Sequence, residues 1–393
     1  MSRYDAVIIG AGPAGAMAAH EIAEAGFKVL ILEKHHRPGR PLCCAEAVTR
    51  QPLHDLLEPL ESWIKSRINR VKVFGPWGYS FEVYHPEAGY ILDRTVFDYD
   101  LASRAVEAGC RLECETIGLR LECGERLFSK LEILKPGGVK NMVEAPIFIA
   151  ADGVESGIAR RAGIDNDIDP TEVESLLQYR LEDISLDPET MEFHMGHDIA
   201  PGGYLWVFPR SSSAANVGLG ITIKGQRSIR LENLLNGFIE SRFKHSKIVE
   251  KHCGLVPKYQ GRKAFRRGNL LVVGDAARAL DSLTGAGIIN AMKSGRYAGR
   301  AAVEYLSGRI TGIDDIEELY PGRFFEEKEK ELDLYLKLRQ MYLRLTDDEI
   351  KDIIEVLDNY FGGKTVRSVN AFKLLAHLTR TRPRLLRLVR HLI

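Results

Sequence analysis

Residues 4–33 constrain the fold of this chain more than any other stretch. An apolar run, Ala6–Ile9, has the length and composition of a buried parallel strand. It is followed by glycines in G-x-G-x-x-G spacing, by a helical pattern, and by a second apolar run, Val29–Leu32, that ends on Glu33. This order of strand, glycine turn, helix, strand and acid predicts a Rossmann-like unit that binds a dinucleotide. The alternative is a parallel βαβ unit with a glycine-rich turn and no ligand.

Each residue of this glycine turn has a physical role in the prediction. Gly10 permits the tight turn after the strand, Gly12 lets a pyrophosphate approach the backbone, and Gly15 lets the helix pack closely on the strand. The N-terminus of the helix directs free N–H groups and a partial positive charge toward the phosphates. Glu33 stands where its carboxylate can accept hydrogen bonds from a ribose 2′-hydroxyl.

Length and composition indicate an ordinary globular protein of about two or three domains. The chain has 393 residues, of which 45% are hydrophobic and 27% are charged, and its formal net charge is zero. A neutral chain has no general attraction to nucleic acid. No apolar run approaches the roughly 20 residues of a membrane span, and we expect no signal peptide because the sequence leads directly into the first strand. Six cysteines without a C-x-x-C pair predict free thiols, no metal site and a cytoplasmic location.

Residues 35–50 are predicted to form a loop, because they are rich in proline and glycine. The loop carries two adjacent cysteines, Cys43 and Cys44. A cysteine in a loop that leaves a nucleotide-binding unit can face the cofactor. The alternative is a small apolar residue that only fills space.

The next part of the chain alternates between strand-like and helical patterns. Residues 71–92 are predicted to form two or three short strands, with one of the turns at Pro86. A helix is predicted over Phe97–Ala108. Further strands are predicted over residues 111–121, 131–134 and 146–151, and an antiparallel sheet over residues 170–225.

Three aromatic residues alternate in the sequence Y-L-W-V-F-P at residues 204–209. In a strand, Tyr204, Trp206 and Phe208 share one face. The pattern therefore predicts an aromatic stripe. Two interpretations remain open: a packed core face, and the wall of an apolar substrate cavity.

A second glycine-rich turn occurs late in the chain. A buried-strand pattern at residues 269–273 leads into Gly274 and Asp275, and a helix is predicted to begin near Gly287. We expect a second contact with the same cofactor here. Asp275 can bind a sugar or ribityl hydroxyl, and the helix end at Gly287 can hold an oxygen anion.

Separated blocks of this sequence resemble the p-hydroxybenzoate-hydroxylase-like FAD enzymes. These blocks are the N-terminal glycine fingerprint, Asp152-Gly153 with Ser156, and Gly274-Asp275. Closer features resemble the geranylgeranyl reductase family, and within it the archaeal digeranylgeranylglycerophospholipid reductases: C-A-E-A at residues 44–47, Y-I-L-D-R at residues 90–94, and Y-x-W-x-F-P at residues 204–209. The resemblance covers residues 1–310. One departure is D-S-L-T-G-A-G at residues 281–287, where many members of the family have N-P-L-T-G-G-G.

The resemblance implies a set of site residues. The FAD site would comprise Gly10, Gly12, Ala14, Gly15, Glu33, Cys44, Ala45, Ala47, Arg94 or Arg104, Asp275, Gly287 and Ile288. The glycines and Ala14 would contact the pyrophosphate, and residues 44–47 would lie along the flavin. Gly287 and Ile288 would offer backbone N–H groups to its carbonyl edge. Tyr204, Trp206 and Phe208 would bind the substrate, and Cys44, Tyr204 and Trp206 would be catalytic.

The fold class implied is α/β, with a Rossmann-like FAD-binding domain, an inserted antiparallel-sheet substrate domain and a C-terminal helical region. The expected boundaries are residues 1–70, 93–170 and 262–320 for the FAD-binding domain, 71–92 and 171–261 for the substrate domain, and 321–393 for the helical region.

The activity implied is an FAD-dependent reduction of isolated prenyl double bonds in archaeal-type membrane lipids. Such an alkene is not polarised, so a plausible route protonates it and delivers hydride from reduced flavin N5 to the tertiary cationic carbon, which the aromatic faces would stabilise. The proton donor stays open between Cys44, a tyrosine and an ordered water.

One alternative is an FAD monooxygenase that uses NAD(P)H, oxygen and an aromatic substrate; another is a non-catalytic lipid escort protein. With no second G-x-G-x-x-G unit, we expect an external electron donor, which could be ferredoxin, a deazaflavin or NAD(P)H.

The C-terminal region is predicted to be helical from Pro321. The sequence from Thr346 to Glu349 is a capping box. Residues 371–393 carry lysine and arginine but no acid, and a basic amphipathic helix here would suit peripheral contact with the inner face of a membrane. The alternative is a solvated helix that packs on the domain.

Overall fold

The computed structural model describes residues 2–124, 127–164, 173–222, 230–259, 261–362, 364–366 and 371–385. Its strands are β1 (Ser2–Arg3), β2 (Ala6–Ile9), β3 (Val29–Leu32), β4 (Ala47–Thr49), β5 (Ile64–Phe74), β6 (Ser80–Leu92), β7 (Arg111–Glu113), β8 (Ile117–Cys123), β9 (Phe128–Lys135), β10 (Val139–Glu144), β11 (Ile147–Ala150), β12 (Glu174–Glu182), β13 (Thr190–His194), β14 (Tyr204–Ser211), β15 (Ala214–Thr222), β16 (Lys247–Val256), β17 (Arg266–Arg267) and β18 (Leu270–Val272). Its helices are α1 (Pro13–Glu24), α2 (Arg50–His54), α3 (Arg94–Glu107), α4 (Gly157–Arg161), α5 (Leu231–Arg242), α6 (Ile288–Leu306), α7 (Arg323–Tyr342), α8 (Asp347–Phe361) and α9 (Ala371–Thr381).

The chain divides into two compact units. The nucleotide unit comprises Met1–Leu42, Arg94–Asp169 and Pro257–Asp333, and the sheet unit comprises Cys43–Asp93, Pro170–Val256 and Leu334–Ile393. This division differs from the predicted one for residues 43–70, which belong to the sheet unit. The reason is strand pairing, because β4 and β5 both pair with β6. The predicted helical region is also divided, with residues 321–333 in the nucleotide unit.

The core of the nucleotide unit is a six-stranded sheet in the order β17-β18-β11-β2-β3-β7. All its strands are parallel except β17, which runs antiparallel to β18. The apolar runs of β2, β3 and β11 are buried throughout, as a sheet covered on both faces requires. The predicted strand, helix and strand of the fingerprint are confirmed, with α1 beginning at Pro13 after the N-cap Gly12. A smaller sheet in the order β1-β10-β9-β8 belongs to the same unit.

Helices α1 and α6 approach each other closely through glycine. A Cβ added at Gly295 would lie 2.1 Å from the carbonyl oxygen of Ala14, and one added at Gly299 would lie 2.8 Å from that of Ala18. Both distances are shorter than real Cβ contacts, so these α6 positions must lack a side chain. The helix that carries the glycine fingerprint is therefore positioned by a G-x-x-x-G face on α6.

The sheet unit is built on an eight-stranded sheet in the order β16-β12-β15-β14-β13-β5-β6-β4. Its strand pairs are antiparallel except for β13 and β5, which run parallel. The turn predicted at Pro86 is wrong, since β6 continues through that residue. The pairing of β5 with β6 is irregular there, with Tyr84 opposite Arg70 and Gly89 opposite Ile68. A proline fits such an irregular stretch because its missing N–H is not needed for the ladder.

One face of this sheet forms an apolar core under α5. Alternate residues of the central strands point into it, and Leu235 and Ile239 of α5 cover them. At the edge of this face, Arg242 donates to Glu192 Oε1 (2.7 Å), and His194 Nε2 lies 3.0 Å from Glu192 Oε2. His194 also stacks on Phe74 at a centroid distance of 4.4 Å. The ion pair therefore fastens the end of α5 to β13.

The ion pair at Glu192 gives a pH-dependent prediction. Burial alone would raise the pKa of Glu192, but hydrogen bonds from His194 and Arg242 and their charges outweigh burial and lower the pKa from 4.5 to about 2. The unfolded chain therefore binds more protons than the folded chain as the pH falls, so this part of the stability is present above pH 4.5 and is lost toward pH 2. We expect Glu192→Gln to lower the free energy of unfolding at neutral pH and to flatten its decrease in this window.

Urea unfolding at a series of pH values tests this prediction. The control is Glu82→Gln, which removes a half-exposed carboxylate from β6 of the same sheet. An unchanged pH dependence in Glu192→Gln, or an equal change in Glu82→Gln, would count against the ion pair.

The C-terminal region is helical, as predicted, with α7 over Arg323–Tyr342 and α8 over Asp347–Phe361. The capping box is confirmed: Thr346 accepts from the N–H of Glu349, and the carboxylate of Glu349 accepts from the N–H of Thr346 at 3.0 Å. Across the described ranges, no helix is both long and apolar enough to span a bilayer. The basic segment predicted to meet a membrane continues into residues 386–393, which lie outside the described residues.

Candidate active site

The glycine turn of the nucleotide unit has the shape that a pyrophosphate requires. A Cβ added at Gly10 would lie 2.2 Å from the carbonyl oxygen of Ala151, and one at Gly15 would lie 2.0 Å from that of Gly10. A Cβ at Gly12 would meet no atom within 4 Å. The first and third glycines therefore permit close packing, whereas Gly12 faces open space at the N-terminus of α1. This is the position at which the backbone can receive an anion.

Glu33 is buried and held firmly at the end of β3. Its Oε2 accepts from the N–H of Ala11 (3.0 Å), and its Oε1 accepts from the N–H of His35 (2.9 Å). Each carboxylate oxygen can accept more than one hydrogen bond. Glu33 therefore retains acceptor capacity for ribose hydroxyls, and its orientation is fixed in advance.

Two more acids, Asp152 and Asp275, follow strands β11 and β18 of the six-stranded sheet. Asp152 Oδ2 accepts from the N–H of Ile158 (2.9 Å), while its buried Oδ1 has no hydrogen-bond partner within the protein. Burial raises the pKa of Asp275, and the charges of Arg94 and Arg278 oppose that rise. A buried acceptor without a protein partner marks a place where a ligand hydroxyl or water is needed.

Asp275 lies beside the N-terminus of α6. Its Oδ1 would be 3.2 Å from a Cβ added at Gly287, which is the N-cap of that helix and has no side chain with which to cap it. Of the two arginines left open by the sequence, Arg94 is the one whose charge acts on Asp275. Arg104 is ten residues farther along α3, which is about 15 Å at 1.5 Å per residue. The structure thus groups Arg94, Asp275 and Gly287, and leaves Arg104 at the far end of α3.

Asp281 and Ser282, which differ from the family pattern, both make hydrogen bonds that involve the loop before α6. Asp281 Oδ1 accepts from the N–H groups of Leu283 (2.7 Å) and Thr284 (3.2 Å), and Oδ2 accepts from the Thr284 hydroxyl. Ser282 Oγ accepts from the N–H of Tyr259 at 3.0 Å. The carboxylate of Asp281 and the hydroxyl of Ser282, which replaces proline, both stabilise the loop before α6.

These observations test whether the nucleotide unit fits FAD. The open backbone at Gly12, the fixed carboxylate of Glu33, the unpartnered Oδ1 of Asp152 and the uncapped helix at Gly287 provide donors and acceptors of the required kinds. The residues present therefore fit a dinucleotide with a sugar-like ribityl chain. The individual contacts predicted for Ala14 and Ile288 remain predictions.

The predicted aromatic stripe lies on the face of the eight-stranded sheet opposite the α5 core. Leu205 and Val207 point into that core, so Tyr204, Trp206 and Phe208 point to the other side. Phe193 of β13 joins them, with ring centroids 5.4 Å from those of Tyr204 and Phe208. We call Tyr204, Trp206, Phe208 and Phe193 the aromatic row. The stripe therefore lies outside the α5 core, and on its own face Trp206 and Phe208 are buried in a second apolar cluster.

Glycines on the neighbouring strand make room for the aromatic row. Gly218 pairs with Trp206, and Gly220 pairs with Tyr204. A Cβ added at Gly218 would lie 2.5 Å from Trp206 Cζ2, so the indole ring lies across the strip that the two glycines leave bare. Sequence reasoning missed these residues, although the alternation G-L-G at residues 218–220 was a signal that one face of β15 lacks side chains.

Trp206 is linked to the loop that carries Cys44. The indole N–H donates to Gln178 Oε1 (2.9 Å), and Gln178 Nε2 donates to the carbonyl oxygen of Cys44 (3.1 Å). Ala45 and Ala47 pack against the cluster that contains Trp206 and Phe208. The structure therefore brings together two predicted groups, the segment 44–47 and the aromatic row.

A buried charge cluster around Glu46 also holds the segment 44–47 in place. Glu46 is fully buried, and its Oε2 accepts from Arg210 Nη1 and from Asn216 Nδ2 (2.8 Å). Asn216 Nδ2 also lies 3.3 Å from the carbonyl oxygen of Ala45. Glu46 has a φ of +73°, which non-glycine residues rarely adopt. The cluster therefore holds the Cys44–Glu46 backbone in a turn that it would not adopt unaided. Sequence reasoning did not identify Arg210 or Asn216.

The Cys44 side chain itself is constrained by this turn. Its Sγ accepts from the N–H of Glu46 at 3.2 Å. The neighbouring Cys43 is exposed and touches the edge strand, 3.6 Å from a Cβ added at Gly254. The two adjacent cysteines thus have different environments: Cys43 is exposed, and Cys44 is half-buried within the turn.

Comparison with known proteins shows related reductases along the whole chain. The sequence profile of the geranylgeranyl reductase catalytic domain matches residues 172–256, and that of an NAD(P)-binding Rossmann-like domain matches residues 8–57. The digeranylgeranylglycerophospholipid reductase of Methanosarcina acetivorans is 37% identical over 98% of this chain and 94% of its own length. The same-named protein of Methanothrix thermoacetophila is 35% identical over 100% of both chains. The likeness therefore extends beyond residues 1–310.

Solved structures agree with this assignment. The crystal structure of a geranylgeranyl bacteriochlorophyll reductase-like protein from Thermoplasma acidophilum has a TM-score of 0.91 and 28% identity, with 100% of both chains covered. A flavin-dependent brominase shares the fold alone, with a TM-score of 0.69 and 18% identity over 100% of this chain and 93% of its own.

The predicted α/β fold and the FAD cofactor agree with these relatives, and kinship with reductases argues against both an aromatic monooxygenase and an escort protein. From its full-length likeness to these reductases and its dinucleotide-shaped site, we conclude that the chain belongs to the geranylgeranyl reductase family and is an FAD-dependent oxidoreductase.

Proposed function

We propose that this enzyme saturates the isolated double bonds of geranylgeranyl chains on glycerophospholipids. The observation that carries the proposal is the aromatic row, which lies outside the α5 core and beside the ordered turn at Cys44. The relatives named for reduction of such a lipid support the choice of substrate. A prenyl chain is a flexible hydrocarbon, and apolar ring faces suit its binding.

The residues of the sheet unit would act in three ways. The aromatic row binds the chain and excludes water, and its ring faces stabilise positive charge that develops on the tertiary carbon. Gln178 fixes the Trp206 indole and the Cys44 carbonyl in one geometry. Cys44 is our candidate proton donor, because the N–H of Glu46 fixes the position of its sulfur. Bound FAD supplies the hydride when it is reduced.

The partners of the enzyme are part of the same proposal. The electron donor is external, and ferredoxin, a deazaflavin and NAD(P)H are the candidates. A substrate that is a membrane lipid favours work at a membrane surface, with the basic segment 371–393 as one proposed contact. Removal of that segment should then weaken binding to anionic vesicles.

An anaerobic half-reaction tests the proposed function. The purified protein is reduced with dithionite and mixed with geranylgeranylated glycerophospholipid, and flavin absorbance and lipid mass are followed together. We expect reoxidation with a gain of two hydrogens per double bond, written as one hydride and one proton added across each C=C. A reduced flavin that ignores the lipid would refute the proposal, and reoxidation by oxygen with an aromatic acceptor would favour a monooxygenase.

A further inference from the structure

The turn between β5 and β6 exposes a tryptophan. The Trp77 side chain is 65% exposed, the largest value among the exposed large apolar side chains of the described residues. Its φ is +58°, in the left-handed region that is strained for a bulky residue, although Gly75 and Gly78 lie nearby in the sequence. A strained and exposed aromatic residue contributes little to the core. An exposed aromatic side chain in a strained turn therefore points to a role outside the protein.

The turn that carries Trp77 is rigidly supported. Pro76 is buried, and its Cγ would be 3.4 Å from a Cβ added at Gly196. A Cβ added at Gly75 would lie 2.2 Å from Ile354 Cδ1 of α8. Because the turn packs against α8, the backbone that carries Trp77 is held in place.

Two more exposed apolar residues belong to the same end of the sheet. Tyr79 directly precedes β6 and is 37% exposed, and Leu343 is 38% exposed. Leu343 Cδ2 would lie 3.3 Å from a Cβ added at Gly202, which precedes β14. We call Trp77, Tyr79 and Leu343 the apolar end.

The strand register places the apolar end next to the start of the aromatic row. Phe74, the last residue of β5, pairs with His194, and His194 pairs with Leu205. Leu205 follows Tyr204, so the turn at Trp77 and the Tyr204 end of the row lie at one end of the sheet. Arg210 and its charge cluster lie at the other end of β14.

We propose that the apolar end is a membrane-docking surface that enters the headgroup region of a lipid bilayer. Trp and Tyr favour that interface because they combine an apolar ring with a polar group. The charges nearby are mixed: Lys351 lies 4.5 Å from the Tyr79 ring, and Asp347 and Asp348 begin α8. At the apolar end the contact is therefore made by ring insertion, whereas attraction to anionic lipid would belong to the basic segment 371–393. This inference rests on the proposed function for its meaning, since a docked bilayer would meet the aromatic row at Tyr204.

Trp77→Gly is the test variant, since glycine suits the left-handed φ and the turn should keep its structure. Binding to phosphatidylcholine vesicles, with and without added phosphatidylglycerol, is measured by sedimentation. We expect the full chain to bind both, and Trp77→Gly to bind about tenfold more weakly, because the variant loses the burial of a large aromatic side chain in the bilayer. The matched control is Val139→Asn, which removes an exposed apolar side chain after a hairpin turn in the nucleotide unit.

Fluorescence gives an independent readout, because Trp63 and Trp206 are buried and Trp77 is exposed. We expect a blue shift with vesicles, quenching by brominated lipid, and neither effect in Trp77→Gly. Equal vesicle binding by Trp77→Gly and the parent chain would overturn the proposal. So would binding that requires phosphatidylglycerol and is abolished by salt, which would assign the contact to the basic segment.

Failure of this inference can be distinguished from failure of the proposed function. Vesicle binding needs no substrate, whereas reductase activity can be measured on detergent-solubilised lipid. We expect Trp77→Gly to keep the parent activity in detergent. An inactive parent chain in detergent would count against the proposed function and leave the vesicle result standing.

Discussion

Arg210→Met is expected to lower the free energy of unfolding by about 3–5 kcal/mol, the cost of breaking a buried ion pair by removing one partner. Arg210 donates to Glu46, which is fully buried, and its other guanidinium nitrogen lies 3.2 Å from Asp93 Oδ2. Methionine fills a similar volume but cannot compensate either carboxylate. We also expect slower reduction of lipid, because the Cys44–Glu46 turn depends on this cluster. Urea unfolding and the anaerobic half-reaction measure the two effects.

The double variant Glu46→Leu/Arg210→Met is the control for this prediction. Replacement of both charges by apolar side chains removes the uncompensated carboxylate, so much of the lost stability should return. The activity should not return, since the turn has lost its anchor. A double variant as unstable as Arg210→Met, or a single variant within about 0.5 kcal/mol of the parent, would contradict this role for the buried pair.

Gly295→Ala is expected to lower both stability and FAD content. The added Cβ would lie 2.1 Å from the carbonyl oxygen of Ala14, so α1 or α6 must shift. Overpacking of this kind costs about 1–3 kcal/mol or more. Since α1 carries the pyrophosphate-binding turn, its displacement should also weaken cofactor binding. Thermal unfolding and the flavin-to-protein absorbance ratio measure the two effects.

A matched substitution in another helix separates the contact from helix propensity. Gly237 lies within α5, and a Cβ added there would meet no atom within 4 Å. Gly237→Ala should therefore stabilise the protein by about 0.5–1 kcal/mol and leave its FAD content unchanged. Similar behaviour of the two variants would contradict the packing argument.

Much of the nucleotide unit could be predicted because its signals are local. A buried strand, three glycines and a terminal acid lie within residues 4–33, and each has one structural explanation. The same is true of the capping box at Thr346. Local signals of this kind can be interpreted without knowing how distant parts of the chain fold.

The sheet unit was less predictable because its site depends on register. The alternation of Tyr204, Trp206 and Phe208 predicted a shared face, but not which of the two faces α5 would cover. Gly218 gained its meaning only from pairing with Trp206 across β14 and β15. Glu46 and Arg210 are far apart in sequence. They meet because strand pairing brings their segments together and because Glu46 itself adopts a positive φ. Pro86 was misread as a turn because the strand tolerates it only where the pairing of β5 with β6 is irregular, and the sequence does not show that pairing.

If lipid is reduced at the aromatic row, a change in that row must slow the reaction. The most direct test is the rate at which lipid reoxidises the reduced flavin in Trp206→Leu. Leu205→Met, which changes the α5 core on the opposite face of the same strand, is the control. We predict that both variants retain FAD, that Leu205→Met reacts like the parent chain, and that Trp206→Leu reacts about 100-fold more slowly because the substrate and the Cys44 turn lose their common support. A Trp206→Leu protein that keeps its FAD and is reoxidised by lipid at the parent rate would contradict the account.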